Sequence, residues 1–185
     1  MLEEELAALQ AGLVVGVPTD TVYGLAADPW RRDALERLFR LKGRPAERPV
    51  ALLVASLDQA RSLGGLFALA ESLAARWWPG PLTLVVPRRA SLPKWLGDPK
   101  RRSIGLRMPD HPEALRLLEA AGPLAVTSAN RSGETAVLSD EEARALFGSE
   151  VSAYLPGKAS GGEASTVLDL TVTPPHVVRR GPVSI

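Results

Sequence analysis

The 185-residue sequence contains no cysteine, so neither a disulfide framework nor a thiol nucleophile is available. It contains only two histidines, His111 and His176, which argues against a zinc site. No apolar run approaches the ~20 residues that span a bilayer, and the acidic N-terminus MLEEELAAL is unlike a signal peptide. We therefore expect a soluble, cytoplasmic protein without a membrane partner.

Several nucleotide-binding and hydrolase motifs are also missing. The sequence has no G-x-x-x-x-G-K-[ST], which excludes a P-loop NTPase, and no G-x-G-x-x-G after a predicted strand. It also lacks the H-E-x-x-H motif of zinc metalloproteases and the G-x-S-x-G nucleophile motif of α/β-hydrolases. A protein with this sequence that handles phosphates must bind them with scattered side chains. The net charge of +1 neither requires nor excludes a nucleic-acid partner.

The residues that are present follow the pattern of a globular α/β protein. Hydrophobic residues make up 45% of the sequence, and we expect residues 1–185 to form one domain. Apolar periodicity predicts helices at 2–11, 33–41, 66–78, 111–122 and 139–147. It predicts strands at 13–17, 49–56, 82–87, 103–109, 123–129, 151–155, 165–170 and 176–180. Helices and strands alternate early and strands crowd the end, which favours an α/β fold with a twisted, mixed parallel/antiparallel sheet and flanking helices.

Two of the predicted helices begin with a capping-box pattern, a capping residue followed three positions later by Glu. The first pattern is Asp33 with Glu36, and the second is Ser139 with Glu142. We expect each pattern to open its helix.

A basic segment, RLKGRPAERP at 40–49, brings Lys42, Arg44 and Arg48 close together in an irregular loop with Gly and Pro. Converging cations beside a glycine suit a polyphosphate. The alternative is a solvated basic loop, which is the more common meaning of an isolated charge cluster.

Three other polar clusters lie where predicted strands end, which is where open α/β sheets bind ligands. Residues 19–24 (TDTVYG) follow the first strand, and Ser128 and Asn130 follow the strand PLAV. Arg107 lies at the end of another strand, where a guanidinium can hold a carboxylate. Ordinary turns, or an arginine covering the sheet edge, are the alternatives for each cluster taken alone.

Seven segments occur in an order that resembles the YrdC-like family of threonylcarbamoyl-AMP synthases. They are VPTDTVYGLAAD, LKGRPAERP, WWPGPLTLVVP, IGLRMPDHP, TSANRSG, STVLDL and VVRRG. The resemblance, which is to the short bacterial form, implies a twisted mixed sheet with a concave, positively charged face. It also implies an enzyme, a nucleotidyltransferase that forms threonylcarbamoyl-AMP and pyrophosphate from L-threonine, bicarbonate and ATP. The product feeds tRNA modification (t6A37) through downstream threonylcarbamoyl-transferase machinery.

The resemblance also assigns site residues. It implies that the L-threonine contacts are Thr21, Ser103, Arg107 and Ser165. It implies that the ATP contacts are Lys42, Arg44, Ser128, Asn130 and Arg179, of which Lys42 and Arg44 are the catalytic pair. We expect no metal site made by the protein, and Mg²⁺ held mainly through the phosphates.

The sequence departs from the family pattern at three positions. Arg48 stands where many relatives have Asn, and Leu53 stands where they have His. Thr135 is a candidate to supply a hydroxyl that relatives place after SANRSG. We expect Arg48 to face solvent, because Lys42 and Arg44 already supply positive charge.

Two other functions are compatible with the same residues. A basic concave face can bind double-stranded RNA or tRNA without catalysis, and a paralogue can use the same pocket for another substrate. Pyrophosphate release that depends on both threonine and bicarbonate distinguishes the synthase from the binding module. The presence of both K-x-R (Lys42, Arg44) and S-x-N (Ser128, Asn130) argues against the paralogue.

Overall fold

The computed structural model describes residues 2–43 and 49–185. Its helices are α1 (Glu3–Gln10), α2 (Arg32–Lys42), α3 (Leu57–Leu63), α4 (Ala68–Trp77), α5 (Pro112–Ala121) and α6 (Asp140–Phe147). Its strands are β1 (Val15–Val17), β2 (Gly24–Ala27), β3 (Ala51–Leu53), β4 (Leu82–Pro87), β5 (Ser103–Arg107), β6 (Leu124–Ser128), β7 (Ala153–Tyr154), β8 (Thr166–Asp169) and β9 (His176–Arg179). Within these residues, no helix combines the length and apolar character that crossing a membrane requires.

The strands of the described residues form one sheet in the order β7-β1-β2-β6-β3-β5-β4-β8-β9. The pairs β1–β7, β3–β5 and β4–β8 are parallel, and the other neighbouring pairs are antiparallel. The predicted mixed sheet with flanking helices is therefore confirmed. The positive charge of its concave face and the single-domain organisation stay predictions.

Alternation along β5 separates the two faces of the sheet. Ile104 and Leu106 are buried in the main core, together with apolar residues of α2, α3, α4 and α6. Ser103, Gly105 and Arg107 lie on the opposite face, because successive strand residues point to opposite sides. The polar residues of this strand thus share the face that carries the site.

That opposite face is covered in one part and hollow in another. α1 and α5 pack on it through a second apolar cluster that includes Leu9, Val17, Leu117 and Leu124. The remaining part, on β3, β4, β5, β6 and β8, lines a cavity. Helix packing on one part of this face therefore leaves space for a ligand on the other part.

Two of these helices and strands, β2 and α3, were missed by the sequence analysis. β2, with the sequence GLAA, is fully buried but has no β-branched or aromatic residue to indicate a strand.

α3 follows Ser56, whose Oγ accepts from the backbone N–H of Gln59 at 3.1 Å. Gln59 Oε1 in turn accepts from the N–H of Ala55 at 2.8 Å. The S-x-x-Q pattern was a detectable helix-start signal for α3.

One of the two capping-box predictions is wrong. α2 begins at Arg32 with Arg31 as its N-cap and without a side-chain cap. Asp33 lies inside the first turn, not at the cap position, and its carboxylate pairs with Arg31 at 2.9 Å. The prediction for α6 is confirmed, since Ser139 Oγ accepts from the Glu142 N–H at 3.2 Å.

Candidate functional site

The hollow part of the sheet face is the floor of a cavity of ≈ 640 Å³. Small and branched apolar residues from neighbouring strands form this floor: Ala51, Val85, Gly105 and Val126. Polar residues surround it, and most of those assigned by the family resemblance line the cavity: Thr21, Lys42, Ser103, Arg107, Ser128, Ser165 and Arg179. An apolar floor with polar groups around it is typical of a small-molecule site.

Arg107, the last residue of β5, is buried at the cavity wall and fixed from several sides. Its Nε donates to the carbonyl of Gly80 at 3.0 Å, and its Nη1 donates to Thr21 Oγ1 at 2.9 Å. Its Nη2 forms an ion pair with the carboxylate of Asp20. That carboxylate also accepts from the backbone N–H of Asp110 at 3.0 Å. The guanidinium therefore has one defined orientation.

Burial and charge act on Arg107 in opposite directions. Burial lowers the pKa of its guanidinium, whereas the charge and hydrogen bond of Asp20 raise it. Because a guanidinium keeps its proton in proteins, Arg107 stays positively charged. Nη1 and Nη2 each carry a second N–H, so the planar fork can still donate to a ligand carboxylate.

The hydroxyls of Thr19 and Thr21 form a directed chain of hydrogen bonds. Thr19 Oγ1 donates its hydrogen to the carbonyl of Val22 at 2.7 Å. Thr21 Oγ1 must therefore donate to Thr19 Oγ1, 3.0 Å away, while it accepts from Arg107. Thr21 keeps one lone pair, with which it can accept a hydrogen bond from a ligand. The hydrogen bonds of the Thr19 and Thr21 hydroxyls thus fix the orientation of both Thr21 and Arg107.

Lys42 forms a second polar group at the cavity, and the prediction that it lies in an irregular loop is wrong. It is the last residue of α2 and is 6% exposed, and Gly43, with φ 62, ends the helix after it. Its Nζ donates to the carbonyl of Ser128 at 2.7 Å, to Ser128 Oγ at 2.9 Å and to Asn130 Oδ1. Several oxygen acceptors replace the water that a buried ammonium loses.

Ser128 and Asn130 are themselves held in place by the segment that follows β6. Ser128 Oγ donates to Asn130 Oδ1 at 2.7 Å. Asn130 Nδ2 donates to the carbonyls of Arg131 and Glu134 at 3.0 and 2.6 Å. The structure therefore brings together Lys42, Ser128 and Asn130, as the family resemblance implied.

A third polar group joins β4, β8 and β9. Arg179 donates from Nε to the carbonyl of Ser165 at 2.9 Å and from Nη2 to Ser165 Oγ at 3.0 Å. Thr83 Oγ1 lies 2.8 Å from Ser165 Oγ. Gly181 permits this approach, because a Cβ there would lie 2.4 Å from the carbonyl oxygen of Ala164. Sequence analysis missed Thr83, whose role depends on pairing between β4 and β8.

A charged corner of the cavity was also missed. Asp169, buried at the end of β8, accepts from Arg101 Nη2 at 2.6 Å. It also accepts from the backbone N–H and the hydroxyl of Thr171 at 2.9 and 2.6 Å. Burial opposes ionisation of Asp169, but the Thr171 hydrogen bonds and Arg101 outweigh it, so the pKa of its carboxyl lies below the usual value. The motif STVLD could have indicated Asp169, since strand alternation places it on the same face as Ser165.

The other residues singled out in the sequence lie in different places. Arg44 and Arg48 lie outside the described residues. Leu53 lines the cavity, so an apolar side chain occupies the family's His position. Thr135 is exposed and is not part of the cavity lining that the structure describes. Within residues 2–43 and 49–185, no group of three or more His, Asp or Glu side chains could hold a metal ion.

Comparisons with known proteins agree over nearly the whole chain. A family model described as Sua5/YciO/YrdC, telomere recombination, matches residues 7–181. A Mycobacterium tuberculosis relative is 42% identical over 181 residues, which is 96% of this chain and 82% of the relative. A Marinobacter nauticus relative named threonylcarbamoyl-AMP synthase is 38% identical over 164 residues, 86% of each chain.

Solved structures give the same result. The crystal structure of Pyrococcus abyssi Sua5 complexed with L-threonine superposes with a TM-score of 0.89 at 37% identity, over 96% of this chain. The match covers 53% of the Sua5 chain, so this chain spans about half of that protein. Escherichia coli YciO also has a TM-score of 0.89, at 30% identity, over 97% of this chain and 88% of YciO. The chain belongs to the Sua5/YciO/YrdC family.

Proposed function

We propose that this protein is an L-threonylcarbamoyladenylate synthase, which forms threonylcarbamoyl-AMP and pyrophosphate from L-threonine, bicarbonate and ATP. The observation that carries the proposal is that one cavity holds two kinds of anion-binding group. Arg107 with Thr21 suits an amino-acid carboxylate, and Lys42 with Ser128 suits phosphate. The name of the Marinobacter relative, threonylcarbamoyl-AMP synthase, and the L-threonine bound to Pyrococcus abyssi Sua5 support the same reaction.

The chemistry requires no nucleophile from the protein. The threonine amine attacks the carbon of bicarbonate, and water leaves to give N-carboxythreonine. Its new carboxylate attacks the α-phosphorus of ATP, and the bond to pyrophosphate breaks. Because anions must meet, catalysis rests on positioning and charge neutralisation. A chain without cysteine or a catalytic triad can therefore perform it.

Each polar group has a role in this scheme. Arg107 donates to the threonine carboxylate, and Thr21 accepts from the threonine side chain or amine. Lys42 offsets phosphate charge, and by family resemblance Arg44 does the same. Ser128 and Asn130 orient Lys42 and donate to phosphate oxygens when their hydrogen bonds rearrange. Ser103, Ser165 and Arg179 complete the amino-acid and nucleotide contacts.

The cavity is suitable for these substrates. Its ≈ 640 Å³ lies within the range of about 300–1,000 Å³ that is common for small-molecule pockets. Mg²⁺ would be held by the phosphates and water, as is common for nucleotide-bound magnesium. The product would serve t6A37 formation on tRNA by downstream transferase machinery, which implies a cytoplasmic location.

Release of pyrophosphate tests the proposal. The protein is incubated with ATP alone, with either threonine or bicarbonate added, and with both. We expect pyrophosphate only in the complete mixture. Release with another amino acid but not with threonine would identify a paralogue, and absence of release together with tight RNA binding would identify a binding module.

Lys42→Met is expected to lower the rate of pyrophosphate release by about 10- to 150-fold. The variant keeps the apolar stem and removes one charge-assisted phosphate contact of roughly 1.5–3 kcal/mol. Lys94→Met, which changes an exposed lysine outside the cavity, is the matched control and should retain the wild-type rate. A wild-type rate for Lys42→Met would refute the phosphate role of Lys42.

Substitution of Gly105 by larger residues tests whether the substrates lie on the cavity floor. A Cβ there would lie 3.5 Å from Ala51 Cβ and from Thr83 Cγ2, which are ordinary contacts. Gly105→Ala should therefore fold normally, whereas Gly105→Leu should fill the space above the floor and weaken ATP binding by about tenfold or more. Calorimetric titration of ATP, with melting curves as the folding control, measures this. A folded Leu variant with unchanged affinity would place the nucleotide elsewhere.

A further inference from the structure

Arg101 is a cation at the cavity wall that none of the seven family segments contains. It lines the cavity, and its side chain is 50% exposed. Its Nη2 lies 2.6 Å from Oδ2 of Asp169, whose side chain is only 1% exposed. A buried carboxylate that holds one nitrogen of a guanidinium fixes its direction, while the outer edge of the planar fork can donate to an anion.

The segment that carries Arg101 is fixed to β5. Asp98 and Ser103 exchange two backbone hydrogen bonds of 2.8 and 3.2 Å. The Asp98 carboxylate accepts from the backbone N–H groups of Lys100 and Arg101 at 2.9 and 3.1 Å. Gly97 has φ 74, and a Cβ there would lie 2.2 Å from the carbonyl oxygen of Ser103, so this close approach requires glycine. The backbone of Arg101 is thus held at the cavity edge before a ligand binds.

The sheet register separates Arg101 from the group around Arg179. Asp169 pairs with Val85, which pairs with Gly105 on the cavity floor. Arg179 pairs with Val167, two residues before Asp169 on β8. Two residues along a strand correspond to about 7 Å. Arg101 is therefore anchored at a different level of the cavity from Arg179.

Lys42 and Arg101 approach the cavity from two sides. Lys42 donates a hydrogen bond to Ser128 on β6, and Arg101 donates a hydrogen bond to Asp169 on β8. Four steps between neighbouring strands separate β6 from β8, which is about 19 Å along a flat sheet. Both side chains are long, so the space between their charges is shorter than this and suits an extended polyanion better than a single carboxylate.

We propose that Arg101 binds the β- and γ-phosphates of the nucleotide from the side opposite Lys42, and that Asp169 positions it there. This inference rests on the proposed function for the identity of the ligand. Arg101 would also stabilise pyrophosphate as it leaves, because the charge on the leaving oxygens grows when the bond to the α-phosphorus breaks.

Titration calorimetry with ATP, AMP and inorganic pyrophosphate tests the role of Arg101 without depending on turnover. Arg101→Ala should weaken ATP and pyrophosphate binding by about tenfold and leave AMP binding within about twofold. The loss should shrink at higher salt, where charge attraction is screened. Lys100→Ala is the matched control: it removes an exposed cation next to Arg101, outside the cavity, and should bind all three ligands like wild type.

Asp169→Asn separates positioning from stability. It keeps the shape of the side chain but removes the charge that holds Arg101, so it should weaken pyrophosphate binding in the same direction as Arg101→Ala. In an Arg101→Ala background, Asp169→Asn should have no further effect on pyrophosphate affinity. A purely structural pair would instead lower the melting temperature in both single variants and leave the three affinities unchanged, which would overturn the inference.

The outcomes also distinguish this inference from the proposed function. If wild type binds ATP and Arg101→Ala binds ATP and pyrophosphate equally well, only the assignment of Arg101 fails. Equal weakening of AMP and ATP would likewise overturn the β- and γ-phosphate assignment. If wild type binds no ATP, the proposed function itself fails.

Discussion

Arg107→Ala is expected to raise the KM for threonine by at least about 30-fold while the KM for ATP changes by less than about threefold. Arg107 is buried, and its fork is aimed by Gly80, Thr21 and Asp20. Removing one partner of a buried, hydrogen-bonded charge pair costs about 2–5 kcal/mol, which corresponds to about 30-fold or more in affinity. Steady-state pyrophosphate release, with each substrate varied in turn, measures both constants.

Two control variants make the Arg107 result specific. Arg107→Lys keeps the charge but loses the planar fork, so it should recover only part of the threonine affinity. Arg116→Ala removes an arginine of α5 that pairs with Glu113 outside the cavity, and it should behave like wild type. Equal increases in both KM values for Arg107→Ala would mean that Arg107 has a structural role or contacts the nucleotide.

Asp20→Ala is expected to lower the free energy of unfolding by about 3–5 kcal/mol. The side chains of Asp20 and Arg107 are 9% and 7% exposed, and the change leaves a buried guanidinium without its counter-charge. It also removes the acceptor of the Asp110 N–H. Denaturant unfolding measures the loss, with Asp33→Ala as the control, because Asp33 belongs to an exposed ion pair and its removal should change stability little.

The double variant Asp20→Ala/Arg107→Ala provides the sharper comparison. Because it removes both charges, it should be more stable than the sum of the two single losses predicts. Additive losses, or a loss below about 1 kcal/mol for Asp20→Ala alone, would contradict a buried and energetically coupled pair.

Much of the fold could be predicted from local patterns. The strand SIGLRMP was predicted, and period-two alternation places Ser103 and Arg107 on one face, where the structure has them. Long apolar runs correctly predicted the other strands at the centre of the sheet. β2 was missed because Gly and Ala in GLAA satisfy space constraints inside the sheet: a Cβ at Gly24 would lie 2.8 Å from Val126 Cγ1.

The site was only partly predictable, for a physical reason. The family motifs indicate residues that contact a substrate. The contacts of Thr83 with Ser165 and of Arg101 with Asp169 form only when the strands pair and the segment before β5 folds back onto the sheet. Those contacts depend on sheet order, which local sequence does not determine. The burial of Lys42 was likewise missed, because it results from hydrogen bonds to residues more than 80 positions away.

The central claim is that threonine and bicarbonate are joined and then adenylated in the cavity. The most direct test is mass spectrometry of the product formed from ATP, nitrogen-15 threonine and carbon-13 bicarbonate. We predict an adenylate that carries both labels, formed with pyrophosphate and strongly reduced in Lys42→Met and Arg107→Ala. An adenylate with the threonine label but without the bicarbonate carbon, or pyrophosphate release without any labelled adenylate, would contradict the account.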